Sequence, residues 1–156
     1  MTKEKFASHI ERLRTKLYKT AFLYFGNEAI ALDVVDETIY KALCSYHRLR
    51  QEELFDTWIT RILINECHKE YRQRKRFTSM DELQEMGAEQ YDSLPLKEAI
   101  RKLPKELKDV IILRYFAGYT LVETALALKI PQGTAATRQR KALKLLKLEL
   151  GEEEMK

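Results

Sequence analysis

A chain of 156 residues, 45% hydrophobic and 33% charged, has material for one domain or two small ones, and its net charge of +4 is only mildly basic. No run of residues approaches the eighteen apolar positions of a membrane span, and the start, Met-Thr-Lys-Glu-Lys with charges continuing to Arg14, lacks a leader's apolar core, so a cytoplasmic protein with no membrane insertion is expected. There is no phosphate-cradling glycine loop, no nucleophile motif and no histidine-carboxylate cluster at ligand spacing, so neither an enzyme nor a cofactor or metal protein is expected.

Phe6, Ile10, Leu13, Leu17, Ala21 and Tyr24 follow a helical period through a first helix that Gly26-Asn27 stops, and Asn27 is suited to cap the next. That second helix runs from about Glu28 to Ser45, with Ile30 or Ala31, Val34 or Val35, Ile39 and Ala42 or Leu43 on its buried side. Asp33, Asp36 and Glu37 fall together on another side, because residues three and four apart are neighbours on a helix. Glu37 is placed to pair with Lys41, while Asp33 and Asp36 have no opposite charge within a turn. A polar connection from His47 to Glu53 then leads into the longest helix.

Leu54 to Arg76 carries an apolar stripe at Phe55, Trp58, Ile59, Ile62, Leu63, Cys67 and Tyr71, then ends in Lys69, Arg72, Arg74, Lys75 and Arg76. Its first turns suit a core and its last turns project cations, a design that holds something anionic near a rigid scaffold. Nucleic acid is the leading candidate. Trp58 is expected mainly as a core aromatic that positions the preceding loop. Cys44 and Cys67 sit within helical patterns and are read as buried, reduced thiols, and His9 as a surface residue. His68 beside Cys67 is not a ligand pair, since adjacent helix residues point in different directions.

Phe77 to Ser93 holds five carboxylates (Asp81, Glu82, Glu85, Glu89, Asp92) and no Lys or Arg. Its periodicity is weak. Ser79 with Glu82 has the spacing to cap a short helix from Met80 to Met86, but Gly87 and Leu94-Pro95 punctuate it, and the segment reads as an acidic linker. Beyond it, Leu96, Ala99, Ile100 and Leu103 form a short helix, Pro104 starts another through Leu107, Val110, Ile111, Leu113, Arg114 and Tyr115, and Gly118 stops that one.

Thr120 and Glu123 have capping-box spacing and open a helix to about Leu128; a last helix follows Pro131 and continues to about Leu148, ahead of an acidic tail. From Thr124 to Leu148 there are six cations (Lys129, Arg138, Arg140, Lys141, Lys144, Lys147) and no carboxylate. This is the outline of a helix-turn-helix. Ala125, Leu128, Ile130, Ala135 or Ala136 and Leu143 are placed to lock its helices, leaving Thr134, Thr137, Arg138, Arg140 and Lys141 toward solvent or ligand, with Lys144 and Lys147 able to contact phosphate.

Taken together these stretches resemble the small extracytoplasmic-function sigma factors of bacterial RNA polymerase. Asp33-Val34-Val35-Asp36-Glu37-Thr38-Ile39-Tyr40-Lys41-Ala42 is similar to the family's second region-2 helix. Phe55-Asp56-Thr57-Trp58-Ile59-Thr60-Arg61-Ile62, followed by Asn65 and Arg72 to Arg76, is similar to its third. Leu103-Pro104, Val110 to Tyr115, Thr120 to Ala125, Ile130 to Thr134 and Arg138 resemble region 4.

The resemblance implies an all-α fold of two small helical domains: region 2 over residues 1–76, an acidic linker over 77–93, region 4 over 94–150 and a tail over 151–156. It implies that Asp33, Asp36, Glu37 and Lys41 grip the polymerase clamp helices, and that His47, Arg48, Arg50, Trp58, Arg61, Asn65, Arg72, Arg74, Lys75 and Arg76 hold the melted minus-10 strand. Gly133, Thr134, Thr137, Arg138, Arg140, Lys141 and Lys144 would read minus-35 duplex DNA, with region 4 meeting the polymerase flap. Core polymerase, promoter DNA and an anti-sigma factor are the implied partners. Lys69-Glu70 stands where the family often has Asp and an aromatic, Lys129 where Gly is usual, and Ala135-Ala136-Thr137 where Val-Lys-Ser is more usual. The alternative is a helix-turn-helix regulator of duplex DNA in which residues 6–76 sense or dimerise.

Overall fold

The computed structural model describes residues 1–77 and 95–150, without the side chains of residues 76, 77, 149 and 150. The acidic linker, its short helix and the C-terminal tail lie outside the described residues.

The described residues form seven α-helices and no strand. Helix α1 (Lys3–Phe25) starts where the Thr2 side chain accepts the Lys5 amide and ends at Gly26, whose φ of 61° returns its amide to the Phe22 carbonyl. The Asn27 side chain accepts the Ile30 amide at 3.0 Å and opens α2 (Glu28–Ser45). Two 3₁₀ turns, Tyr46–Arg48 and Glu52–Leu54, carry the chain into α3 (Phe55–Phe77). The three helices pack on Phe55, Ile59, Leu63 and Cys67, all fully buried, with α1 contributing its expected apolar face. Each such side chain removed from water stabilises the fold by about 1.5–3 kcal/mol.

The C-terminal bundle comprises α4 (Pro95–Lys102), α5 (Lys105–Ile111), α6 (Leu121–Leu128) and α7 (Gln132–Leu150). A π-helical turn over Ile112–Phe116, with the Ala117 amide donating to the Ile112 carbonyl, extends α5 before Gly118 turns the chain at φ 77°. Both halves of the Thr120–Glu123 capping box form. Lys129 caps α6 at φ 56°, a left-handed conformation that only Gly adopts without steric cost. Ile100, Val110 to Leu113, Ala135, Ala142 and Leu146 fill this core.

The buried residues of the two bundles join in one continuous cluster. Two expectations are corrected. Cys44 is exposed, because the buried face of α2 is Ile30, Ala31, Val34, Val35, Thr38 and Ala42, and Cys44 falls outside that stripe. His9 is half-buried rather than a surface residue: its ring stacks on Phe55 at 4.6 Å, its Nε2 lies 2.9 Å from Glu52 and its Nδ1 2.8 Å from Arg12.

Candidate polymerase and nucleic-acid interfaces

On α2 the carboxylates of Asp33, Asp36 and Glu37 are exposed opposite the buried stripe, and none forms a salt bridge among the described residues. Lys41, expected beside them as a pair for Glu37, turns instead to Glu66 of α3, whose side chain is only 8% exposed. The hydrogen bond to Glu66 raises the Lys41 pKa. Lys41 therefore ties α2 to α3, and a buried carboxylate competes better for the ammonium than a solvated one does.

The connection between α2 and α3 exposes His47, Arg48 and Arg50. Its base is clamped. Tyr46 stacks on Phe6 at 4.7 Å, and Glu52 meets His9 at 2.9 Å and Lys5 at 3.5 Å. The His9 hydrogen bond lowers the Glu52 pKa. Trp58 is half-buried, with its ring 5.5 Å from Phe55, so it braces the loop from below. Along α3, Asn65, Arg72 and Lys75 are exposed, whereas Arg74 is held by Glu70 at 2.7 Å. Arg61 is further withdrawn: its guanidinium donates to the Leu126 and Ala127 carbonyls at 2.9 and 3.3 Å. Those carbonyls belong to the last turn of α6, where intrahelical donors run out and a cation is favoured.

In the helix-turn-helix, Ala125 and Ala135 are buried and Leu128, Ile130, Ala136 and Leu143 half-buried, so the expected locking residues are all withdrawn from solvent. Gly133, Thr137, Arg140, Lys141 and Lys144 lie exposed along α7, and Thr134 is half-buried. Arg140 donates to the Thr137 hydroxyl at 3.3 Å, which preorients its guanidinium. Arg138 is drawn aside toward Glu106 at 3.8 Å and lines a cleft with Asn65 and His68 of α3.

Sequence reasoning missed the residues that join the bundles. Asp109 on α5 is 5% exposed; it accepts a hydrogen bond from the Tyr24 hydroxyl and stands 2.9 Å from His68 Nε2. Burial, with the nearby Asp109 charge, drives the Tyr24 pKa well up. The Tyr119 hydroxyl meets Thr60 at 2.7 Å, and burial raises its pKa. Arg114 braces the helix-turn-helix by donating to Gln139 Oε1 at 3.0 Å and the Tyr119 carbonyl at 2.8 Å. The available signal was a carboxylate set inside the apolar run Leu107 to Leu113. Among the described residues no cluster of histidine, cysteine and carboxylate is placed to hold a metal.

Residues 9–77 match the Sigma-70 region 2 family, and residues 99–148 match Sigma-70, region 4. The RNA polymerase sigma factor SigV of Bacillus subtilis is 33% identical over 99% of this chain and 96% of its own length. The chain belongs to the extracytoplasmic-function sigma factors of the sigma-70 family. This sigma factor directs RNA polymerase to promoters and performs no catalytic step itself. The N-terminal match stands where a duplex-only regulator would need a sensing or dimerising domain. Another relative is the ECF RNA polymerase sigma factor SigW of the same bacterium, 24% identical over 94% of this chain and 89% of its own length.

Two solved structures share the fold of the sigma factor. The sigma factor RpoE of Bartonella quintana, in complex with the anti-sigma factor NepR, has a TM-score of 0.75 and 22% identity over 94% of this chain and 97% of its own. CnrH, in complex with the cytosolic domain of CnrY, gives the same TM-score and identity over 96% of this chain and 89% of its own. No described helix is long and apolar enough to cross a membrane.

Proposed function

We propose that the sigma factor divides its work between region 2 over residues 1–76 and region 4 over 94–150, joined by the acidic linker 77–93 and followed by the tail 151–156. The observation that carries this reading is the separation of unpaired carboxylates on α2 from exposed cations on α3 and α7. Asp33, Asp36 and Glu37 grip the clamp helices of core polymerase, while Lys41 fixes the angle of α2 through Glu66. His47, Arg48 and Arg50 form the mouth that takes an extruded minus-10 base, and Trp58 keeps that mouth in shape. Asn65, Arg72, Arg74, Lys75 and Arg76 follow the separated strand, joined by Arg61 once it leaves the α6 carbonyls.

Region 4 lays the start of α7 in the major groove of the minus-35 element and meets the polymerase flap. Thr134, Thr137, Arg138 and Arg140 approach base edges, Gly133 admits close backbone approach, and Lys141 and Lys144 contact phosphate. An anti-sigma factor is the natural inhibitory partner, supported by the complexes in which the similarly folded RpoE and CnrH were solved. The test is transcription in vitro by core RNA polymerase on a library of randomised promoters, with and without the protein. Initiation at shared sequence elements only in its presence is expected. Duplex binding that never redirects the polymerase would overturn the division of labour.

A further inference from the structure

The loop between α2 and α3 has little of its own to hold its shape. From Ser45 to Leu54 no residue is buried, and only Tyr46 and Leu49 pack against the edge of the core. Neither of its 3₁₀ turns has a side-chain cap, and the Leu49 and Leu54 amides return to carbonyls of the loop itself, those of Tyr46 and Gln51. Among the described residues, the ring and polar contacts that reach it from a distant element come from α1. Phe6 stacks on Tyr46 at 4.7 Å, and Lys5 and His9 meet Glu52 at 3.5 and 2.9 Å. Lys5, His9 and Arg12 are four and three residues apart and share one face of α1, just as Glu52 and Asp56 are one turn apart opposite them.

The polar groups on this face form one relay. Arg12 grips Asp56 at 2.7 and 3.1 Å and donates to His9 Nδ1 at 2.8 Å, which leaves the ring proton on Nε2 to be donated to Glu52. The His9 ring lies nearly flat on Phe55, 18° from parallel. Partly solvated ion pairs add little to stability, but a two-point contact between guanidinium and carboxylate fixes direction as well as distance. The relay is thus better suited to aiming the loop than to holding the fold together.

We propose that His9 and Arg12 are positioning residues for minus-10 recognition: through Glu52 and Asp56 they set the angle of the loop carrying His47, Arg48 and Arg50, and so which extruded base it accepts. Neither touches that base. Both ring nitrogens of His9 and both terminal nitrogens of Arg12 are engaged within the protein. A pocket discriminates between bases only if its walls are held to about 0.5 Å, and an unburied loop obtains that precision from its supports. The inference rests on the proposed minus-10 role of the loop.

The test uses holoenzyme assembled from core RNA polymerase and the full chain, transcribing barcoded promoters randomised through the minus-10 and minus-35 elements, so that preference is read position by position. The variants are Arg12→Ala, Asp56→Asn, the two combined, and His9→Phe, which keeps a ring on Phe55 but loses both hydrogen bonds. Each single change is expected to lower the ratio of preferred to disfavoured base by roughly fivefold or more at one minus-10 position. Preferences in the minus-35 element should stay as in the native chain, which also shows that each variant is folded. The combined variant should fall no further than the worse single one, because the two residues act as a unit.

Native minus-10 preference in folded Arg12→Ala and His9→Phe overturns the positioning role. So does a loss spread evenly over all positions, which would assign Arg12 to phosphate; Asp56→Asn, by freeing the guanidinium, would then strengthen initiation instead of blurring it. If Arg12→Ala does not fold, Asp56→Asn and His9→Phe decide between the same outcomes. A native chain that directs no initiation, or shows no minus-10 preference, takes the proposed function of the loop down with the relay. One that initiates with a preference its variants keep loses only the relay.

Discussion

The Arg12 guanidinium on α1 makes a two-point contact with the Asp56 carboxylate at the first turn of α3, at 2.7 and 3.1 Å. The same guanidinium donates to His9 Nδ1, and His9 Nε2 in turn faces Glu52, so one chain of hydrogen bonds links α1 to the base of the proposed minus-10 loop. The Arg12 hydrogen bond holds the Asp56 carboxyl below the usual carboxylate range. A depressed carboxylate contributes stability that is present above its unfolded pKa and lost as pH falls through the lower folded value. Urea unfolding should therefore show the native chain losing more stability than Asp56→Asn as pH falls from about 5 toward 2. At neutral pH Arg12→Ala should cost about 1 kcal/mol or less, because the pair is partly solvated. A variant indistinguishable from the native chain at every pH would show that the clamp holds nothing.

Lys129 holds a left-handed φ of 56° at the turn between α6 and α7. An L side chain there costs roughly 1–2 kcal/mol, against roughly 0.5–1 kcal/mol for the extra freedom of Gly in the unfolded chain. Lys129→Gly should thus raise stability by about 0.5–1 kcal/mol, read as a higher denaturant midpoint at unchanged slope. A loss of stability would mean that the lysine itself makes a compensating contact.

Thr120 accepts the Glu123 amide at 3.1 Å while Glu123 accepts the Thr120 amide at 2.9 Å. Thr120→Ala removes one arm of this box and should cost about 1 kcal/mol. Since α6 both supports α7 and supplies the carbonyls that Arg61 binds, hydrogen exchange should rise through residues 121–128 before the rest of the chain. Uniform loosening would place the cap's effect elsewhere.

Arg140 and Lys144 are both exposed on α7, and they are expected to fail differently. Arg140→Ala should weaken minus-35 binding by about 1–3 kcal/mol and relax preference at one base pair, whereas Lys144→Ala should weaken all sequences alike and reduce the salt slope by about 1. Affinities measured for a matched and a scrambled duplex across a salt series read both effects. Equal, sequence-blind losses would reassign Arg140 to phosphate.

Much of the architecture was legible from local chemistry. The helical period of α1, the caps Asn27 and Thr120, and the breaks at Gly26 and Gly118 lie within a turn or two of the structure they specify, so sequence neighbours alone determine them. The same holds for the acidic face of α2 and the cations of α7, which need only the helical repeat. The tertiary structure decided where charge is used. Lys41 prefers Glu66 to the nearer Glu37, Arg61 turns from solvent to the end of α6, and His68 finds Asp109 at a separation of 41 residues. No periodicity encodes such pairings, because they depend on which helix faces which, and burial makes a distant partner worth more than an adjacent solvated one.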